Sequence, residues 1–287
     1  MKRLSNVIIC LLAACVLASC CSTPKKAKYV FYFIGDGMGF SHIAVTEAFK
    51  SALKDEKKSE PLLFTQFPVM GMATSYSNSN IITCSSAAGT ALSTGFKTNN
   101  GMLGVAPDSS ALEAISYKIH NAGYKVGVIS SVTIDHATPG AFYANSVKRS
   151  DYYGIAKQLS ESNFEFFGGG GFQGATQSAN AERMYTVALE RESDPSGIEY
   201  WTKELLSKRK DGAAISVGFI MSDEFNAKKA GAQKIVLFQQ SPNSNNILSP
   251  VLERNDSSLT LPQVVEAAVG FLNNSKGFFI MAEGGQI

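Results

Sequence analysis

The chain has 287 residues, 45% of them hydrophobic and 17% charged, which is enough to bury a sizeable core in one large domain or two modest ones. A formal net charge of +2, with acidic and basic residues interspersed, provides no strong field and argues against nucleic acid as a partner. The denser charged patches, Lys54 to Lys58 and Lys208 to Lys210, read as solvated faces or loops.

At the N-terminus, Lys2 and Arg3 precede an apolar run from Val7 to Leu17 that is too short to span a bilayer comfortably. It ends in Leu17-Ala18-Ser19-Cys20, which resembles the bacterial lipobox, with Cys20 acylated as the first mature residue. Leu12-Ala13-Ala14-Cys15 overlaps it with a shorter apolar region, and simple secretory cleavage is the plainer alternative. Each of these readings exports the protein. The expected organisation is a signal peptide over 1–19, a tether over 20–27 and a folded body over 28–287. A lipid on Cys20 would anchor that body to a membrane, in the periplasm or at the cell surface. Cys10, Cys15, Cys20 and Cys21 belong to the leader and processing region, so Cys84 stands alone in the body and can form no internal disulfide.

Tyr29 to Ile34 is a continuous β-prone run of the kind found in strands covered on both faces of a parallel sheet. It leads into Gly35-Asp36-Gly37-Met38-Gly39 and then a helical pattern through Lys50. Thr83 to Gly95 is dominated by small residues, which predicts a tightly packed helix beginning near Ser86 and stopping at Gly95. Ser110-Ala111-Leu112-Glu113 reads as a capping box opening a helix that ends near Gly123. Lys125 to Val132 is a buried strand followed by Asp135-His136-Ala137-Thr138-Pro139, and Phe164 to Phe167 is a strand stopped by Gly168 to Gly171. Residues 174–234, with one clear helix from Glu199 to Lys208, read as a peripheral excursion. The core resumes at Ile235 to Phe238. Pro262 opens a helix reaching Asn273, and Gly277 to Ala282 is the last strand, followed by Glu283. This alternation predicts an α/β protein with a mostly parallel sheet.

Functional groups of open α/β sheets gather at the carboxyl ends of the strands, where Asp36, Asp135-His136 and Glu283 all fall. Each alone reads as a turn or cap; together they suggest a site for a metal or phosphate. Ser85 stands at a helix start, where unpaired N–H groups favour an anion. Serine is equally common there as a plain N-cap.

Gly35-Asp36-Gly37-Met38-Gly39, the Ser85 helix, His136-Ala137-Thr138-Pro139 through Arg149, and Gly277-Phe278-Phe279 through Glu283-Gly284 together resemble the alkaline phosphatases, from Tyr29 to Ile287 and most loosely between Gly174 and Lys234. The resemblance implies a three-layer α/β/α core and a phosphomonoesterase that forms a phosphoserine at Ser85. It also implies two Zn2+ ions and one Mg2+. Asp36 would bridge a zinc and the magnesium, Thr138 and Glu283 would complete the magnesium ligands, and Ser85 would meet zinc through its oxygen. Arg149, otherwise a surface arginine, would hold two phosphate oxygens, and His136 would touch a water on the magnesium, with direct ligation of the ion as the less favoured alternative. Phosphate monoesters are the expected substrates, and a homodimer the expected assembly if one forms.

The chain also departs from the family. Cys84 stands where many relatives have aspartate, and reads either as a small packing thiol or as a zinc ligand open to oxidation. Further Asp and His zinc ligands are expected beyond Ile287, so the chain as given reads as truncated, inactive and poorly stable. Cys84-Ser85-Ser86-Ala87 lacks the Pro and Arg of a sulfatase motif. The alternatives are a phosphodiesterase of the same superfamily and a non-catalytic phosphate- or metal-binding lipoprotein.

Overall fold

The computed structural model describes residues 26–55, 57–173, 192, 194–197, 199–200, 234–238, 247–248, 250 and 259–287. Its strands are β1 (Tyr29–Gly35), β2 (Lys125–Ser130), β3 (Phe166–Gly169), β4 (Ile235–Phe238) and β5 (Phe278–Gly284). They form one five-stranded sheet in the order β1-β5-β2-β3-β4, with every pair parallel. The described helices are α1 (Phe40–Leu53), α2 (Ser85–Thr94), α3 (Ile115–Asn121), α4 (Ala137–Gly140), α5 (Tyr152–Glu161) and α6 (Leu261–Leu272).

The alternation of side chains along β2 and β5 divides the core between two faces. Val126, Val128, Phe279 and Met281 pack with Ile155 and Leu159 of α5 and with Phe142 and Tyr143 just past α4. Ile129, Phe278, Ile280 and Ala282 pack with Val264, Ala268 and Leu272 of α6. Burying each of these large side chains stabilises the fold by about 1.5–3 kcal/mol, so the central strands hold the layers together. α6 begins as its sequence requires, with Pro262 in the first turn and Thr260 N–H donating to Gln263 Oε1 at 2.9 Å. Layered helices around a parallel sheet are the expected α/β architecture.

Some local expectations are corrected. β1 is covered on one face only among the described residues. Val30, Tyr32 and Ile34 pack on the core, whereas Tyr29, Phe31 and Phe33 are exposed. The reason is position: β1 is an edge strand, and α6 lies over β5, β2 and β3. The capping box at Ser110 does not form. Ser110 instead donates its N–H and Oγ–H to Asp108 Oδ1, and α3 starts five residues later, after an Ala114 cap. That helix does stop at Gly123, whose φ of 86° is easy only for glycine. β3 runs into the glycines rather than stopping before them, because a Cβ on Gly168 would lie 2.3 Å from Val264 Cγ1 and keep α6 away from the sheet. The expected leader over 1–19 and most of the 174–234 excursion, including Trp201 to Lys208 of the expected Glu199 to Lys208 helix, lie outside the described residues.

Candidate functional site

Sheet register assembles the first part of the site. Ile34 pairs with Glu283, and Glu283 pairs with Ser130, so the carboxyl ends of β1, β5 and β2 lie side by side. Asp36 N–H donates to Gly284 O at 3.0 Å and fastens the loop after β1 to β5. Glu283 is fully buried, and its Oε2 accepts a hydrogen bond from Ser130 Oγ. Its other oxygen, Oε1, and the buried Thr138 Oγ1 of α4 have no hydrogen-bond partner among the described residues. Burial pushes the Glu283 carboxyl above its ordinary range. The Ser130 and Thr138 hydroxyls oppose that shift, the charge of Asp36 adds to it, and Arg149 opposes it. Thr138 therefore lies close enough to favour the carboxylate, without the alignment of a full hydrogen bond.

Each buried polar atom without a partner costs about 1–3 kcal/mol, so this pair of oxygens is a defect unless something fills it. A hard cation with oxygen preference would do so, and the oxygens of Asp36, Thr138 and Glu283 are of the kind that would suit magnesium. Among the described residues, no group of three or more His, Cys, Asp and Glu side chains comes together as a metal centre.

The nucleophile candidate arrives by helix packing. Ser86, Ala87, Gly89, Thr90 and Ser93 are the buried residues of α2. Gly89 sits against α4, where a Cβ would lie 3.2 Å from Ala141 Cβ and 3.3 Å from Thr138 Cα. The run of small residues thus packs α2 against the helix that carries Thr138, rather than beneath the sheet. Ser85 is the first helical residue and not the cap; the cap is Cys84, in extended conformation. Ser85 Oγ donates to Asp36 Oδ2 at 2.8 Å.

Arg149 is not a free surface arginine. Its Nη2 lies 3.2 Å from His136 Nε2. A guanidinium can only donate, so Nε2 accepts, the ring is neutral and its proton sits on Nδ1. That Nδ1 is buried without a partner. Burial pulls the His136 pKa down and the Arg149 charge adds to this, against an opposing pull from Asp36. Cys84 is half-buried and reduced. Burial pushes its thiol up, but hydrogen bonds from the Ser86 hydroxyl and from the N–H groups of Ala87, Gly101 and Ser86 outweigh this and bring it to about 7.

Other candidates fall elsewhere. The Asp135 carboxylate accepts Gln173 N–H at 2.9 and 3.1 Å and holds the chain after β3. His120 pairs with Glu165 at 3.2 Å near the start of β2, and His42 Nδ1 accepts Gly39 N–H at 3.1 Å as part of the α1 cap. Ser130 is the site residue that sequence reading missed; its only signal is a hydroxyl ending an otherwise apolar strand.

A family model described as Alkaline phosphatase matches residues 27–166, and another, described as Domain of unknown function (DUF4214), matches residues 171–229. Alkaline phosphatase 4 of Bacillus subtilis (strain 168) is 28% identical over 275 residues, covering 91% of this chain and 52% of the relative. The structure of alkaline phosphatase from the Antarctic bacterium TAB5 superposes with a TM-score of 0.62 at 29% identity, covering 91% of this chain and 66% of that one. A histidine-to-aspartate variant of that enzyme is described with Mg bound in the M3 site, and is 28% identical to this chain with a TM-score of 0.62, covering 91% of this chain and 65% of that one. The chain spans about half the length of the curated relatives it matches. The family model, these relatives and the shared fold agree: the chain is similar to the alkaline phosphatases over most of its length.

Proposed function

We propose that the protein hydrolyses phosphate monoesters through a phosphoserine at Ser85. The observation that carries this reading is the 2.8 Å hydrogen bond from Ser85 Oγ to Asp36 Oδ2, made beside the partnerless oxygens of Thr138 and Glu283. Asp36 accepts the Ser85 hydrogen bond and can take that proton as Oγ bonds to phosphorus, passing it to the ester oxygen, which leaves as the alcohol. Arg149 offers a planar fork for two non-bridging phosphate oxygens, and His136 Nε2 holds that fork in place. Asp36, Thr138 and Glu283 would hold magnesium, which when bound would supply positive charge beside the reacting phosphate. Water then cleaves the phosphoserine, releasing phosphate and returning a proton to Ser85. The Mg of the Antarctic relative's variant supports the assignment of this cation.

The test is covalent labelling by a chromogenic phosphate monoester, read by mass spectrometry of the Ser85 peptide. Label on Ser85 that disappears in Ser85→Ala supports the proposal; label on another residue overturns it. Binding of phosphate and magnesium without turnover is the alternative reading. Phosphate binding with no label on Ser85 would establish it. We also propose export and lipid anchoring at Cys20. Loss of membrane association in Cys20→Ser supports this, and unchanged association rejects it.

A further inference from the structure

Ser85 and Arg149 lie on different elements, α2 and the loop after α4, and a phosphate must meet both at once. One short segment, Asn99 to Gly104, ties these elements together. Asn100 uses both ends of its amide on the approach to α2: Oδ1 accepts Cys84 N–H at 3.1 Å, and Nδ2 donates to Ile82 O at 3.0 Å. Gly101 faces both ways. Its N–H donates to Cys84 Sγ at 3.2 Å, and its carbonyl accepts Arg149 N–H at 2.7 Å. The linkage repeats one step on. Leu103 and Ser146 exchange backbone hydrogen bonds of 2.9 and 2.7 Å, and Gly104 N–H donates to Thr90 Oγ1 at 2.9 Å in the middle of α2.

We propose that Asn100 and Gly101 are positioning residues that set the nucleophile helix against the phosphate-binding arginine; this rests on the function proposed for Ser85 and Arg149. A residue whose N–H bonds to the cap of one element and whose carbonyl bonds to the backbone of the other transmits any displacement between them. Gly101 is required by its backbone: its φ is +88°, a left-handed conformation that resists other residues, while a Cβ there would meet nothing within 4 Å. Gly101→Ala therefore strains the bridge without crowding a neighbour. Asn100→Ala removes both side-chain hydrogen bonds and keeps the backbone bond from Asn100 N–H to Ser79 Oγ.

The experiment compares the full chain with Asn100→Ala, Gly101→Ala and a control, Asn78→Ala. The control removes only the neighbouring 2.8 Å bond to Asn99 Oδ1. Inorganic phosphate affinity is measured by titration calorimetry in magnesium buffer, and amide hydrogen exchange is followed at Cys84 and Arg149. The expected result is at least roughly tenfold weaker phosphate binding in both bridge variants, since small misplacements of positioning groups carry large penalties. Exchange should quicken at Cys84 and Arg149 together, with β2 and β5 amides and the control unchanged. Wild-type phosphate affinity in the bridge variants, or faster exchange at Cys84 alone, overturns the proposal and leaves the segment a local loop. If the unsubstituted chain binds no phosphate, the functional reading fails, and the paired exchange response alone decides the bridge.

Discussion

Ser85 Oγ reaches Asp36 Oδ2 across 2.8 Å, joining the first turn of α2 to the loop that leaves β1, 49 positions away in sequence. Neither residue is a cap for the other's element. The contact exists because α2 leans on α4 through Gly89 while the β1 loop is fastened to β5 at Gly284. A hydroxyl held by a carboxylate, next to buried oxygens without partners, sets what the following measurements should find.

Magnesium should stabilise the chain through Glu283. A carboxyl whose folded pKa is raised binds its proton more tightly in the folded state, so metal-free stability falls as pH rises from the ordinary 4.5 through the folded value. Magnesium replaces that proton and reverses the trend. At about a hundred times Kd the gain should be roughly 3 kcal/mol in thermal unfolding. Glu283→Gln should lose both the pH slope and the magnesium response.

His136 should remain the neutral Nδ1–H tautomer at pH 7, as seen in its ring ¹⁵N shifts. Its folded pKa lies below the ordinary 6.5, so the unfolded chain takes up the proton first and stability falls as pH drops below 6.5. Replacing Arg149 by methionine removes the donor to Nε2 and one cause of the depression. The imidazole should then titrate closer to its ordinary value.

Cys84 should react as a partly ionised thiol. Iodoacetamide modification should rise with pH to half its limiting rate at about 7, well below an ordinary cysteine. Ser86→Ala removes the hydroxyl 3.0 Å from Sγ and should move the midpoint upward. A midpoint unmoved by that change would show that the N–H groups alone stabilise the thiolate.

Gly168→Ala should destabilise the domain by about 1–3 kcal/mol in chemical denaturation, because the new methyl must displace Val264 and with it α6. Combining it with Val264→Ala should recover part of the loss. Equal, additive losses would mean that the two positions do not share this contact.

By itself the sequence determined the order of the strands and helices, the stop at Gly95 and the Pro262 start of α6, while its resemblance to the alkaline phosphatases put forward Ser85, Asp36, Thr138, Arg149 and Glu283 as candidate residues. These are legible because apolar periodicity, caps and glycine turns act over a few residues, and because the motifs are contiguous. Where short-range signals compete the reading slipped: Ser110 had a local partner in Asp108, and α3 began after Ala114 instead. What only the tertiary structure decided depends on sheet order and helix approach. Inserting β5 between β1 and β2 gives Glu283 its partner Ser130, 153 positions away, and leaves β1 at an edge with Phe31 and Phe33 exposed. The packing of α2 on α4 brings Ser85 to Asp36, and the segment at Gly101 joins α2 to the backbone of Arg149. Such partners are set by the global burial of apolar faces, and no local pattern around either residue encodes them.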